Sequence, residues 1–300
     1  MTTPLTTAAT AFARYEAVRA RLPAASFPPV ARSLPSLAEV ADLYDGLLLD
    51  AFGVLNVGDT PISGAIARMA GLRARGKRLC VLTNAASHTR RAAVEKYARL
   101  GFDFTADEVV TSRDVAAARL DTIAPGASWG AISAPGDDYH DIPAHLVDAI
   151  DVPGAMDGCD AILFLSSLRW TAPLQAQLAA ALARRPRPLV VANPDLVAPR
   201  EDGFSQEPGR FGHALADTGI PVHWFGKPFG DGFTDALARM GLPAHRVAMV
   251  GDTLHTDILG GRAADMGTVL IADHGLFAGQ DVAPYIARSG IVPDIVCATT

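Results

Sequence analysis

The sequence predicts an α/β fold in which strands and helices alternate around a parallel sheet. Apolar runs of strand length each end in a polar turn, and segments with helical spacing follow them. The chain has 300 residues, of which 49% are hydrophobic and 19% charged. A chain of this size and composition can bury a substantial core, which argues against disorder.

The other elements are arranged around Leu47–Leu55, which reads LLLDAFGVL. An apolar run that ends in a carboxylate and a glycine turn is typical of a buried parallel strand, which is predicted here over Gly46–Asp50. Open α/β sheets bind ligands at the carboxyl ends of their strands. Asp50 is therefore the first candidate for a chemical role, as a nucleophile and a metal ligand.

The residues before this strand are predicted to form an N-terminal extension, residues 1–35. An amphipathic helix is expected over Ala8–Leu22, and a loop rich in proline follows it. Ser36 and Glu39 have the spacing of a capping box, which predicts a helix from there to Tyr44.

The residues after this strand alternate between helix and strand. The helices Ile62–Arg75 and Thr89–Leu100 each end at a glycine, which is the usual helix stop. This alternation is the βαβ pattern of a parallel sheet. The further elements expected up to residue 123 are the strands Arg78–Thr83 and Glu108–Thr111 and the helix Asp114–Leu120.

A second α/β unit is predicted as an insertion over residues 124–222. Dense Pro and Gly punctuation at 123–128 marks its start, and a long polar loop over 193–209 precedes its last helix. The expected strands are 129–133, 161–166 and 188–192, and the expected helices are 143–150, 172–184 and 211–218.

The sheet of the first unit is expected to resume at residue 223, so that the core consists of residues 36–123 and 223–300. The elements predicted there are His223–Lys227, a helix Phe233–Met240, a strand Arg246–Val250, a helix from Thr256, and strands at Thr268–Ala272 and Ile295–Val296.

Composition excludes several classes of partner. The net charge of −6 gives no electrostatic case for binding nucleic acid or an anionic membrane surface. No apolar run is long enough to span a membrane, and the N-terminus lacks the pattern of a signal peptide. Three scattered cysteines without a CxxC pair fit a reducing compartment, and we expect a cytoplasmic protein.

Four polar side chains each follow an apolar strand or its turn, namely Asp50, Thr83, Lys227 and Asp252. If the strands are parallel neighbours, all four converge at one edge of the sheet. A carboxylate there can attack phosphorus and form an aspartyl-phosphate. Asp50 and Asp252 could share a Mg²⁺ ion. Lys227 and the hydroxyl of Thr83 could bind the phosphoryl oxygens.

Each of these residues also has an ordinary structural explanation. Asp50 alone is more often a turn or cap residue, and Thr83 with Asn84 is a common strand exit. Lys227 is more often a solvated turn lysine. The acid at Asp257 equally suits the start of a helix. The order and spacing of the set, rather than any one member, favour a phosphoryl-transfer site.

The motifs resemble those of the haloacid dehalogenase-like hydrolase superfamily, class IIA, the NagD-like group. The resemblance covers about residues 37–300. In chain order, its motifs stand here as DAFGV at 50–54, Thr83-Asn84, Asn193-Pro194-Asp195, Gly226-Lys227-Pro228, and GDTLHTD at 251–257.

This resemblance implies a Rossmann-like parallel-sheet core with an inserted α/β cap of the C2 type. It also implies a Mg²⁺-dependent phosphatase or phosphotransferase of a small phosphorylated metabolite, such as a sugar phosphate, and homodimers are an open expectation. The implied roles are Asp50 as nucleophile and metal ligand, Lys227 as a catalytic and phosphate-binding cation, Thr83 and Asn84 as phosphate-binding residues, Asn193 and Asp195 as substrate contacts from the cap, Asp252 and the Phe52 backbone carbonyl as metal ligands, and Asp257 as support for the metal shell.

One position departs from the superfamily pattern. The second aspartate of the first motif, which serves as general acid and base, is Phe52 here, and the chain is similar to an uncharacterised subgroup written DxWGV. General acid–base help is worth about 10²–10⁴-fold. An alternative is therefore a catalytically impaired protein that binds Mg²⁺ and a phosphorylated ligand in a regulatory or scaffolding role. A dehalogenase is a weaker third option.

Three other residues near the motifs are candidates to replace the missing acid. His88 and His255 are expected on the surface, and Asp59 is expected in a turn. None is favoured for the role. Asn193 and Asp195 equally suit an Asx turn.

Overall fold

A computed structural model of the protein describes residues 5–300. Its strands are β1 (Arg32–Ser36), β2 (Gly46–Leu49), β3 (Asn56–Val57), β4 (Thr60–Pro61), β5 (Arg78–Thr83), β6 (Val109–Thr111), β7 (Ser128–Ile132), β8 (His145–Asp148), β9 (Ala161–Phe164), β10 (Leu189–Val191), β11 (Val197–Arg200), β12 (Gly203–Gln206), β13 (His223–Trp224), β14 (Val247–Gly251), β15 (Gly267–Ile271) and β16 (Ile295–Thr299). Its α-helices are α1 (Ala8–Ala17), α2 (Leu37–Val40), α3 (Ala65–Ala74), α4 (Arg90–Arg99), α5 (Ser112–Ala117), α6 (Leu120–Ile123), α7 (Ala155–Gly158), α8 (Ala172–Arg184), α9 (Pro208–Ala216), α10 (Gly230–Met240), α11 (Leu259–Ala263) and α12 (Ala283–Ser289).

The core sheet has seven parallel strands in the order β1-β16-β15-β14-β2-β5-β6. The inner strand β2 is buried on both faces. Successive side chains of a strand point to opposite sides of the sheet. Leu47 and Leu49 pack into one apolar cluster, and Leu48 packs into the other. A strand covered on both faces must be apolar throughout, which explains the leucine run.

The carboxyl ends of β2, β5 and β14 lie side by side at one edge of this sheet, because these strands are parallel neighbours. The residues that end or follow them are Asp50, Thr83 and Asp252. The predicted convergence of these three side chains therefore follows from the observed strand order.

A second, five-stranded parallel sheet has the order β13-β10-β9-β7-β8. The predicted fold class is confirmed, since a Rossmann-like parallel core with flanking helices accompanies a separate sheet in the inserted part of the chain. The division into a core at 36–123 and 223–300 and a cap at 124–222 remains a proposal.

The strand after residue 222 was assigned to the wrong sheet. The sequence placed His223 onward in the core, but β13 pairs with β10 in the second sheet. Trp224 stacks on His213 of α9 at a ring distance of 4.1 Å, which holds this strand on the inserted sheet. The chain returns to the core only at the loop that carries Lys227.

Two further elements differ from prediction. Residues 143–150 were expected to be helical, but the segment forms the edge strand β8, paired with β7 and rich in partly buried side chains. The predicted loop over 193–209 contains the antiparallel hairpin β11–β12. Its two-residue turn is Glu201-Asp202, and Gly203, with φ of +122°, begins β12.

The N-terminal segment is better integrated than the predicted extension. Residues assigned to its proline-rich loop form β1, which pairs with β16 as an edge of the core sheet. The capping box of Ser36 and Glu39 is present, but helix α2 ends at Val40 rather than at Tyr44. Helix α1 ends at Ala17, five residues before the predicted end, and a short 3₁₀ turn follows.

Helix α1 contacts both the part of the chain that forms the core sheet and the inserted part. On the core side, His255 is buried between the rings of Phe12 and Tyr15 and pairs with Glu16 at 2.5 Å, so the prediction of a surface histidine was wrong. On the inserted side, the hydroxyl of Tyr15 accepts a hydrogen bond from the backbone N–H of Leu196. The helix therefore links the two parts.

Two sequence expectations concern the environment of the chain. Within residues 5–300, no helix combines the length and the apolar character needed to cross a lipid bilayer. The cysteines Cys80, Cys159 and Cys297 are buried and free.

Candidate active site

Three carboxylates and one ammonium group meet at the carboxyl edge of the core sheet. Oxygen atoms of Asp50, Asp252 and Asp257 all lie within 4.8 Å of one another. The ammonium nitrogen of Lys227 lies 2.6 Å from Asp50 and 2.8 Å from Asp257. The four residues are nearly excluded from solvent, and carboxylates outnumber cations, so the cluster favours an additional positive charge.

The backbone at the end of β2 fixes the first carboxylate. The N–H of Asp50 donates to the carbonyl of Val250, which continues the pairing with β14, and the side chain of Asp50 accepts from the N–H of Ala51 at 2.7 Å. The turn that follows needs Gly53, because φ is +78° and a Cβ there would lie 2.7 Å from the side chain of Asp252.

The other two carboxylates are held by the turn after β14. Asp252 accepts from the hydroxyl of Thr253 at 2.8 Å and from the N–H of Leu276 at 2.7 Å. Asp257 accepts from the N–H of Thr253 at 3.0 Å, on a turn of π-helix over Leu254–Ile258. Such turns often occur at functional sites, and this one directs Asp257 toward Lys227.

The loop that carries Lys227 is locked by the side chain of Asn84. The amide oxygen of Asn84 accepts from the N–H of Lys227 at 2.6 Å, and its amide nitrogen donates to the carbonyl of Lys227 at 3.0 Å. Gly226 has φ of +98°, and a Cβ there would lie 2.6 Å from that amide oxygen. The Asn84 side chain is thereby occupied, so the expected phosphate contact of Asn84 is left to its backbone amide.

Burial shifts the ionisation of the cluster. It raises the pKa of Asp50 to about 6, against the opposing effect of Lys227. Burial, together with Asp257 and Asp50, raises the pKa of Asp252 well above its ordinary value. Burial alone lowers the pKa of Lys227, but the carboxylates of Asp257 and Asp50 outweigh it and the pKa is raised. The lysine is therefore a permanent cation.

A cavity of about 790 Å³ opens above this cluster, between the core and the inserted part of the chain. Thr83 lines it from the end of β5, buried, with its hydroxyl accepting from the N–H of Ala85 at 3.2 Å. A small phosphorylated molecule fits a volume of this size.

Asn193 and Asp195 line the same cavity from the inserted side. The N–H of Asp195 donates to the side chain of Asn193 at 2.9 Å, which is the Asx turn considered as the ordinary explanation. Asp195 also accepts from Asn84 at 2.8 Å, which links the inserted part to the core. Burial raises the pKa of Asp195 well above its ordinary value.

Phe52 occupies the position of the missing acid, and its ring is half-buried in the cavity wall. Within residues 5–300, its backbone carbonyl accepts no hydrogen bond, so this oxygen is available as a ligand. The ammonium of Lys96 lies 5.0 Å from the ring centre, and the guanidinium carbon of Arg200 lies 4.7 Å from it. Both contacts are in the range of cation–π interactions.

Neither Lys96 nor Arg200 was among the site residues predicted from the sequence. Lys96 lies on the same face of α4 as Ala92 and Ala93, which also line the cavity, and this spacing was the available signal. Arg200 gave no signal, because it ends a strand in a segment expected to be a loop. Its position depends on how the β11–β12 hairpin packs against the core.

None of the three candidates for the missing acid belongs to the carboxylate cluster of Asp50, Asp252 and Asp257. His88 is exposed at the cavity. Asp59 sits between β3 and β4 and pairs with Lys96 at 2.8 Å, with 90% of its side chain exposed. His255 is enclosed by α1, as described above.

The donor set fits Mg²⁺. This ion prefers oxygen ligands, binds through one or two carboxylates, and retains waters that a phosphate can displace. Asp50 and Asp252 offer two such carboxylates, and the free carbonyl of Phe52 offers a third oxygen. The excess of buried negative charge around Lys227 supplies an electrostatic reason for the ion.

Comparison with known proteins assigns the chain to a family. Residues 47–139 match the family model described as haloacid dehalogenase-like hydrolase, and residues 224–298 match a second model described as HAD-hydrolase-like. The chain is 30% identical over 279 residues to the glycerol-3-phosphate phosphatase of Gallus gallus, covering 83% of this chain and 88% of that one. The protein belongs to the haloacid dehalogenase-like hydrolases, class IIA.

Solved structures agree with this assignment. A possible sugar phosphatase from Cytophaga hutchinsonii has a TM-score of 0.78 at 23% identity, covering 90% of this chain and 98% of that one, which bears on the fold alone. A glycerol phosphate phosphatase from Mycobacterium tuberculosis, solved in complex with magnesium, has a TM-score of 0.64 at 30% identity, covering 78% of this chain and 69% of that one.

Proposed function

We propose that the protein is a Mg²⁺-dependent phosphatase or phosphotransferase of a small phosphorylated metabolite, and that it works through an aspartyl-phosphate on Asp50. The observation that carries the proposal is the contact of Asp50 with Lys227 at the floor of the cavity, beside Asp252 and Asp257. A free carboxylate and a fixed cation at one point suit attack on a phosphoryl group.

In the first half of the reaction, a carboxylate oxygen of Asp50 forms a bond to phosphorus while the bond to the leaving oxygen breaks. Lys227 offsets the negative charge of the phosphoryl oxygens, and the Thr83 hydroxyl and nearby backbone N–H groups donate to them. Asp50, Asp252 and the Phe52 carbonyl would hold Mg²⁺, which would reduce the repulsion between the carboxylates and the phosphate.

In the second half, water attacks phosphorus and the bond to Asp50 breaks, which regenerates the carboxylate. Phe52 can neither protonate the leaving oxygen nor activate this water. We expect slow turnover, by about 10²–10⁴-fold, for leaving groups that require a proton. Leaving groups that are stable as anions need no proton, so they should avoid most of the rate loss that comes from the missing proton donor.

The named relatives support this proposal. The chicken relative is a glycerol-3-phosphate phosphatase, and an acid sugar phosphatase of Staphylococcus aureus is 29% identical over 229 residues. Their substrates are small phosphate esters. Asn193 and Asp195 are proposed to select among such molecules from the inserted side, and Asp257 to orient Lys227 and the metal shell.

The test is a phosphate-release screen with sugar, nucleotide and aryl phosphates, with and without Mg²⁺. Asp50→Asn removes the nucleophile and should abolish release, by at least 10³-fold. Asp107→Asn, on an exposed carboxylate outside the cavity, is the matched control and should keep full activity. Release that survives Asp50→Asn would contradict the aspartyl-phosphate route.

A second candidate follows from Phe52, which removes the general acid and base but leaves the binding groups in place. In this case the protein binds Mg²⁺ and a phosphorylated ligand in a regulatory or scaffolding role. Tight Mg²⁺-dependent binding without turnover of any substrate, measured by calorimetry, would favour this candidate over the enzyme.

A further inference from the structure

The ring of Phe52 brings together two cations from different parts of the chain. Lys96 comes from α4 of the core and Arg200 from the β11–β12 hairpin, and both lie within about 5 Å of the ring centre. Their charged groups line the same cavity as Asp50. An aspartate at position 52 would place a negative charge beside them, whereas phenylalanine leaves them without it.

The existing partners of these cations leave them able to bind another anion. Lys96 donates to the backbone carbonyl of Gly58 at 2.9 Å, which is neutral, and pairs with Asp59 at 2.8 Å. The Asp59 side chain is 90% exposed, so solvent screens this pair. Arg200 donates from Nε to Ser205 at 2.9 Å and from Nη2 to Glu207 at 3.4 Å. Its Nη1 has no hydrogen-bonding partner in the part of the chain that the structure describes.

The hairpin that carries Arg200 is itself docked on the core. Glu201 accepts from the backbone N–H of Asp59 at 2.8 Å, and a Cβ at Gly58 would collide with the Glu201 side chain. Arg200 is therefore fixed above the core rather than left at the end of a free loop. Its distance from Lys96 and Phe52 is set by this contact.

We propose that Lys96 and Arg200 form an anion subsite for the leaving group, so that the preferred substrates carry a second anionic group close to the departing oxygen. This anion is a carboxylate or a second phosphate. The inference rests on the proposed function, because it assigns the leaving-group end of the cavity used by Asp50.

The chemistry explains how such a site works without an acid at position 52. When the bond from phosphorus to the leaving oxygen breaks, the electron pair stays on that oxygen, and no side chain at position 52 supplies a proton. The two cations hold the second anionic group beside the leaving oxygen and offset the negative charge that develops there, until that oxygen takes a proton from water. After water attacks the aspartyl-phosphate, its proton passes to solvent or to the released phosphate, and Asp50 is again a carboxylate.

Matched substrates test the subsite. 2-Phosphoglycolate and ethyl phosphate have the same skeleton but differ in a carboxylate, and inorganic pyrophosphate tests a second phosphate. We expect kcat/KM for 2-phosphoglycolate or pyrophosphate to exceed that for ethyl phosphate at least tenfold. The substrate with the higher kcat/KM shows whether the subsite prefers a carboxylate or a second phosphate. Equal values for all three overturn the proposal.

Variants of the two cations supply the second test. Arg200→Met and Lys96→Met should each raise KM for the anionic substrate at least tenfold more than for p-nitrophenyl phosphate, and Arg200→Lys should recover part of the loss. Arg184→Met, which removes an exposed arginine paired with Asp157 far from the cavity, should change neither value. Equal losses for both substrates would show a structural role and overturn the subsite.

Failure of the proposed function gives a different result. If no substrate turns over, including p-nitrophenyl phosphate, the enzyme proposal fails, and calorimetric titration with 2-phosphoglycolate and pyrophosphate in the presence of Mg²⁺ still decides the subsite. A loss of affinity of at least tenfold in Arg200→Met supports it. Unchanged affinity overturns it.

Discussion

The ammonium nitrogen of Lys227 lies 2.6 Å from a carboxylate oxygen of Asp50. The two residues come from segments of the chain that are separated by the inserted sheet, and both side chains are largely shielded from water. Since an ion pair in such surroundings is stable only while both partners are present, the contact ties the chemistry of the site to the stability of the fold.

Removing the cation should harm stability and activity together. Lys227→Met leaves the buried carboxylates without their ammonium partner, so we expect a loss of about 3 kcal/mol in the free energy of unfolding without metal. We also expect phosphate release to fall at least 10²-fold. Thermal unfolding and initial rates measure the two effects. Lys77→Met is the control, and a variant of Lys227 as stable as that control would contradict the assignment.

Magnesium binding should weaken as the pH falls. The pKa of Asp50 is raised from its ordinary 3.8 to about 6, so the folded metal-free protein holds a proton between these values that the unfolded chain has lost. Metal-free stability should therefore decline as the pH rises through 6. Mg²⁺ must displace this proton, and its affinity should fall about tenfold per unit below pH 6. Calorimetry at pH 5, 6 and 7 tests this, and a constant affinity would contradict it.

A methyl group at Gly226 should displace the catalytic loop. Gly226→Ala meets both a positive φ and close contacts with Asn84 and Pro194. Gly126→Ala is a matched control, because its φ of +68° imposes similar backbone strain but nothing lies within 4 Å of the new carbon. Both should lose about 1–2 kcal/mol of stability from the strain. Only Gly226→Ala should also lose most activity, and equal rates in the two variants would refute the crowding argument.

The link made by α1 should stabilise the inserted part on the core. Tyr15→Phe removes the hydroxyl that accepts from the N–H of Leu196, and leaves that buried donor without its partner. We expect a loss of about 1–3 kcal/mol in the free energy of unfolding, measured with urea. Tyr285→Phe, which removes a hydroxyl bonded to Gln280 in an exposed pair, should cost less than half as much. A reversed order would contradict the proposed role of the helix.

Much of the fold could be predicted because the core strands are buried on both faces. β2, β5 and β14 must be apolar throughout, and their predicted bounds differ from the observed ones by at most one or two residues. The polar residues at their ends then had to meet at one edge. Short edge strands such as β8 and β13 lack this signal, since one side of each is only partly covered.

The rest of the candidate site depends on packing between distant segments. Arg200 reaches Phe52 only because a hairpin of the inserted part rests on the β3–β4 turn, and no local pattern reports that contact. His255 was expected in solvent because its own turn is short and polar, whereas α1 covers it from far along the chain. Such contacts are decided by tertiary packing rather than by spacing.

The order of strands in the core also bears on how the protein is made. β2 lies between β5 and β14, and all of the second sheet lies between these neighbours in the sequence. During synthesis, the strands of the second sheet leave the ribosome before β14 does. The inserted sheet can therefore pair completely while the central leucines of β2 still lack one neighbour and remain open to chaperones.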